Sequence, residues 1–296
     1  MSKYVDENYD QPSNQPVTTY KQGNSKNNQV NASGKLSNVK YGPVTDPSSE
    51  LEKCVGVLIK QIPEFFEAAT GCETPNIYHV FGSSTSGFNF LFKCKEKSGW
   101  CMRHCCTSTR RGFDMDMSYI ASGNPMDPIA TDYATAYKSC NLACCCLCRP
   151  ELIVTLKEGE QPIGRVKYVC TLCNPTFHAY DKNDNLRYIV SASCCQCSLM
   201  CSNNFCGKFS ECLFEIYGPD GSGAIGKILK QSASPSEMVT DADSYEVNFP
   251  NNASWEDKLL LTALGLLIDY QYFEIDNKDD KTKKEKQANV AKMAMS

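Results

Sequence analysis

The chain has 296 residues, 30 Lys and Arg against 34 Asp and Glu, a formal net charge of −4 and a pI of about 5.5. This balance gives no electrostatic reason to expect nucleic acid as a partner. The 19 cysteines would suit a secreted disulfide scaffold, but the start Met1-Ser2-Lys3-Tyr4-Val5 lacks the apolar core of a secretory signal. The expectation is therefore an intracellular chain with reduced thiols, in which the sequons at Asn31 and Asn252 are chance matches.

In chain order, residues 1–48 are rich in Asn, Gln, Ser, Tyr and Pro and are predicted to be a disordered polar tail. Its Tyr4, Tyr9 and Tyr20 are candidate docking points for protein partners. Residues 49–275 are enough for one well-buried domain. Apolar segments at 55–66 and 78–92 can supply strands. Short strands then recur at 152–156, 163–170, 177–180, 186–192, 212–217, 224–229 and 245–249, separated by Gly, Pro, Asn and Asp. Such spacing predicts a mainly β domain, with antiparallel hairpins closing into a barrel or sandwich.

A helix is predicted over 257–274. Its Leu259, Leu260, Leu261, Leu264, Leu266, Leu267 and Ile268 make it apolar on nearly every side. A membrane span needs roughly 20 mainly apolar residues. This run is shorter and contains Asp269 and Gln271, so two placements stay open: the axis of a β-barrel, or insertion in a membrane. Residues 276–296 form a mixed-charge tail.

Several motifs carry chemistry. Cys144, Cys145, Cys146 and Cys148 crowd one short segment, where neighbouring thiols could accept two or more thioester-linked fatty acids. One chain holds a protein to a bilayer only marginally, whereas two hold it stably. The competing reading is a buried or metal-bound cysteine cluster. Cys170 and Cys173, with Cys194 and Cys197, repeat the C-x2-C spacing of a zinc ribbon, and the strand pattern puts both pairs at one rim. Free thiols are the alternative there. The run 221–227 imitates a phosphate loop, but Ile228 stands where Ser or Thr must meet Mg²⁺, so a hairpin turn is expected. His79, His104 and His178 are scattered and give no hydrolytic constellation, so no enzyme is expected.

Taken in order, these residues resemble the phospholipid scramblases. The anchors are Thr70-Gly71-Cys72-Glu73-Thr74, Arg103-His104-Cys105-Cys106, the run Cys144 to Cys148, Pro162-Ile163-Gly164, the stretch Thr240 to Pro250, and the apolar helix ending Asp269-Tyr270-Gln271-Tyr272-Phe273-Glu274. The resemblance implies a tubby-like fold, twelve antiparallel strands around a C-terminal helix. It implies calcium-stimulated, ATP-independent movement of phospholipids between leaflets, with acylation at the cysteine run and a place on the cytoplasmic face of the plasma membrane.

The family's calcium segment maps onto Asp241, Asp243, Tyr245, Val247 and Phe249, and Asn252 stands where the family closes the site with Asp. A hard cation favours charged oxygens, so affinity should fall. If Tyr245, Val247 and Phe249 face inward along a strand, the ligand candidates become Asp241, Asp243, Glu246, Asn248 and Asn252. The implied groups are Ca²⁺ and, from the C-x2-C pairs, Zn²⁺. Two other classes remain: a membrane-tethered adaptor or lipid-binding module whose helix stays in the barrel, and a soluble zinc-structured regulator. An oligomer would supply the polar path that one apolar helix lacks.

Overall fold

The structure is a computed structural model that describes residues 39–62, 75–84, 87–99, 111–140, 149–200, 210–232 and 243–273. Twelve strands form one closed antiparallel wall: β2 (Gly56–Ile62), β3 (Ile77–Ser84), β4 (Gly87–Lys97), β5 (Phe113–Tyr119), β6 (Thr131–Lys138), β7 (Glu151–Leu156), β8 (Pro162–Val169), β9 (Thr176–Asp181), β10 (Leu186–Ser191), β11 (Cys212–Tyr217), β12 (Ala224–Lys230) and β13 (Ser244–Asn248). Sequence neighbours pair throughout, β13 returns to β2, and β4 meets β5, so no edge is left in the circuit. A two-residue strand, β1 (Val39–Lys40), adds in parallel to the start of β4.

Each of the seven strands expected between 152 and 249 is present within two residues of its predicted ends. The segment 78–92 is two strands, because the chain reverses between Ser84 and Gly87 and β3 pairs back on β4. β5 and β6 were not expected. Their sequences, Phe-Asp-Met-Asp-Met-Ser-Tyr and Thr-Asp-Tyr-Ala-Thr-Ala-Tyr-Lys, alternate in period two, but Asp and Ala are depleted in strands and neither run contains Val or Ile. The 1–48 boundary also needs correction. β1 and helix α1 (Pro47–Lys53) belong to the folded unit; Asp46 caps α1 by accepting from the Ser48 and Ser49 amides, and Pro47 opens the helix. Residues 1–38 and 274–296 lie outside the described residues.

The barrel is filled by helix α3 (Trp255–Ile268), preceded along the chain by the four-residue helix α2 (Cys197–Met200). α3 is buried from Asp257 to Ile268, and inward residues such as Ile59, Val154, Val166 and Val247 belong to the same core. An all-round apolar helix has no solvent face to offer, and the lumen of a closed sheet is the one soluble place that asks for none. Of the two placements left open by the sequence, the structure takes the barrel axis. Among the described residues no helix is long and apolar enough to cross a membrane. Gly164 of the Pro162-Ile163-Gly164 anchor lets the helix approach: a Cβ there would overlap the Tyr180 carbonyl oxygen and lie 3.1 Å from Leu260.

Candidate functional site: the two ends of the barrel

Because every strand of the twelve-stranded wall is antiparallel to its wall neighbours, successive connections alternate between the two ends of the barrel. One end carries the short turns 120–130, 157–161, 182–185 and 218–223 and the entry into α3. Here the rejected phosphate loop is the expected hairpin: Gly221 N–H donates to the Gly218 carbonyl at 3.0 Å, and Gly221 and Gly223 take positive φ. The start of α3 is held by a reciprocal cap between Ser254 and Asp257. Asp257 also accepts from Arg187 (Nη2 at 2.9 Å) and from Tyr188 Oη at 3.1 Å, while Lys258 Nζ donates to the Glu52 carbonyl of α1 at 2.7 Å. This end is closed by caps and turns.

The other end receives the connections spanning 63–76, 98–112, 139–150, 170–175, 192–211 and 231–243, and the last turn of α3. By chain position every cysteine except Cys54, Cys94 and Cys212 belongs to these connections, and those three are buried. Burial pushes the Cys54 thiol up to about 11 and the Cys94 thiol further, as suits inert core thiols. The acylation candidates Cys144, Cys145, Cys146 and Cys148 lie outside the described residues, in the chain between β6 and β7.

This end also holds the larger set of buried charges, Asp257 and Lys258 being buried at the other. The helix continues as a π-helical turn, Asp269–Phe273. Asp269 accepts from Tyr78 Oη at 2.5 Å and Tyr245 Oη at 2.6 Å. Burial outweighs those bonds and the nearby Lys230 ammonium, so its carboxyl is held above the ordinary range. Tyr270 Oη donates to Glu96 at 2.8 Å and stacks on Phe113. Arg111 faces Glu96 at 3.4 Å and lies over the Tyr270 ring, and Lys138 Nζ donates to the Arg111 carbonyl at 2.5 Å. Lys230, 1% exposed, pairs with Asp243 at 2.8 Å. Sequence reading missed this layer, since lone Lys, Arg and Glu at strand ends read as solvent-facing.

The calcium set is corrected by the same geometry. Tyr245, Val247 and Phe249 do face inward, and β13 is extended. Five residues at about 3.3 Å each separate Asp243 from Asn248 by roughly 16 Å, whereas calcium–oxygen distances are about 2.4 Å. Glu246 and Asn248 are neighbours on the outer face, joined at 3.1 Å, but Asn252 sits in the turn at the opposite end. One ion cannot take all five. Asp241 lies outside the described residues, and Asp243 is already engaged by Lys230.

The four-thiolate zinc set is not assembled in this structure. Both C-x2-C pairs reach one end as expected, but Cys173 and Cys194 are joined as a disulfide, with Cα atoms 5.8 Å apart. Cys170 and Cys197 are free and exposed. A bonded sulfur has no thiolate to give a metal, and among the described residues no three His, Cys, Asp or Glu side chains converge to hold one. The expectation of wholly reduced thiols fails at this pair. Of the histidines, His79 packs edge-on against Phe81 and Phe90, its pKa lowered by burial to about 4, and His178 contacts Tyr180; His104 lies outside the described residues.

A closed twelve-stranded antiparallel barrel threaded by an apolar helix is the class that this geometry defines. The Scramblase family model matches residues 39–275, and the chain belongs to that family. It is 29% identical to human phospholipid scramblase 1 over 74% of this chain and 63% of the relative, and 27% identical to the mouse protein over 74% and 61%. Human phospholipid scramblase 4 is 28% identical over 50% of this chain and 43% of its own. The chain thus spans less than two thirds of the length of the scramblase 1 relatives. No solved structure matches.

Proposed function

We propose that this chain is a phospholipid scramblase: a lipid translocator, rather than an enzyme, that moves phospholipids both ways between leaflets without ATP and is stimulated by calcium. The family match across the whole barrel, 39–275, carries the reading, supported by relatives named phospholipid scramblases. Thioesters on Cys144, Cys145, Cys146 and Cys148 hold the protein to the cytoplasmic face of the plasma membrane, and two or more chains make the attachment stable. Calcium acts at the Asp241–Asp243 end of β13, where it must compete with the Lys230 ammonium for Asp243, so affinity is low.

The test is dithionite quenching of fluorescent lipid in liposomes that carry the acylated protein, with and without calcium. Quenching beyond half of the signal, lost in Asp241→Ala, is expected. Quenching that stops at the outer leaflet sinks the reading. That outcome would favour a second one, a membrane-tethered adaptor or lipid-binding module, which the enclosure of α3 supports because a helix filling its own barrel offers headgroups no path. Zinc on Cys170, Cys173, Cys194 and Cys197 belongs to a form with the disulfide reduced; one zinc per reduced chain would establish it.

A further inference from the structure

Strands β6 to β11 are consecutive around the wall, so the connections β6–β7, β8–β9 and β10–β11 are neighbours at the cysteine-bearing end. Their described residues are 139–140, 149–150, 170–175, 192–200 and 210–211, and these hold only two charges, Arg149 and Glu211. Arg149 is drawn inward, donating to the Val169 carbonyl at 3.2 Å and lying over the Tyr168 ring. The rest are Cys, Ser, Thr, Asn, Gln, Pro, Ala, Leu and Met. At the opposite end four of the five wall turns carry a carboxylate, Asp127, Glu158 with Glu160, Asp184 and Asp220, two of these turns also carry a lysine, Lys157 and Lys182, and the β3–β4 turn carries no charge.

On the neutral sector apolar side chains stand in water. Leu172 is fully exposed at the tip of the β8–β9 connection, and Met200 is 70% exposed at the end of α2. Tyr137, near the end of β6, is half exposed. The tip is fixed: Cys173 is bonded to Cys194, the Cys194 amide donates to Asn174 Oδ1 at 3.1 Å, and the Gln196 amide clamps both backbone groups of Leu213. A held leucine aimed at solvent loses little further entropy when covered. Entering a bilayer interface buries such side chains without stripping water from charges, and a half-exposed tyrosine suits the headgroup level. The opposite end would bring charges of both signs to the interface, each with water to lose, a cost that the neutral sector does not meet.

We infer that the β6–β11 sector of this end is the surface that meets a lipid bilayer, with Leu172 and Met200 entering the interface and Tyr137 at its margin. The inference rests on the membrane attachment proposed above and gives it an orientation: the chain around the Cys144 to Cys148 run leaves β6 and returns at β7 beside this surface.

The test uses the full, unacylated chain with vesicles of phosphatidylcholine, a minor share of phosphatidylserine, and brominated acyl chains. Leu172→Trp should show a blue shift and bromine quenching beyond the wild-type background; Ile129→Trp, also largely exposed to water but on the opposite end, should show neither. Leu172→Asp should bind vesicles about tenfold more weakly, the loss expected for one buried leucine, and Ile129→Asp should bind as wild type. Quenching at 129 instead of 172, quenching at neither, or unchanged binding of Leu172→Asp overturns the inference. The dithionite assay is separate: transport absent with quenching at 172 retained counts against the activity and leaves this surface standing.

Discussion

The two ends of the barrel solve the same problem, closing a wall around one helix, by different means. At the turn-bearing end the start of α3 is held by local devices: a reciprocal cap, an arginine–carboxylate fork that reaches water, and α1 laid across the opening. At the cysteine-bearing end the last helical residues are held by groups that water does not reach, Asp269, Glu96, Arg111, Lys138 and Lys230, each tied to a different strand or connection. Caps tolerate loss because solvent can replace the missing partner, whereas buried charges cannot be rescued in that way. Both ends bury charge, Asp257 and Lys258 at the start of the helix and the larger set at its last turn.

The comparison can be broken by mutating each end. Lys230→Met leaves Asp243 without its ammonium in a buried setting and should cost about 3–5 kcal/mol in urea unfolding. Ser254→Ala removes one half of the reciprocal cap and should cost about 1 kcal/mol. Equal losses would refute the asymmetry. The smallest effect sharpens it through pH. Since burial holds Asp269 above the ordinary carboxylate range, the folded state keeps a proton that the unfolded chain releases. Its stabilising contribution is complete below the unfolded pKa near 3.8 and is lost as pH rises through the folded value. Asp269→Asn should therefore lose less stability than wild type as pH is raised from 4, measured by thermal unfolding at a series of pH values. A parallel decline in both proteins would show that Asp269 ionises freely.

Much of this barrel was legible in the sequence where alternation coincided with β-branched and aromatic residues, as in 186–192 and 212–217. β5 and β6 escaped because their inward positions are Met115, Met117, Ala134 and Ala136, small or flexible residues that leave room for the helix and carry little strand signal. The helix itself was visible, but its place in the lumen was a choice between two solvents that composition alone cannot make. The calcium candidates were chosen by type and order, and a residue list does not show that an extended strand carries them apart. The cysteines were the plainest signal in the chain; that almost all share one end follows only once the strands are known to alternate.

The order of elements along the chain bears on how the molecule comes to be made. All twelve wall strands leave the ribosome before α3, the segment that fills their lumen. Until residues 255–273 emerge, the wall has no core to close on, so the barrel completes its folding only after its final strand and helix have been synthesised. A nascent chain stalled ahead of Trp255 would present inward faces lined with Val, Ile, Phe and Leu to solvent.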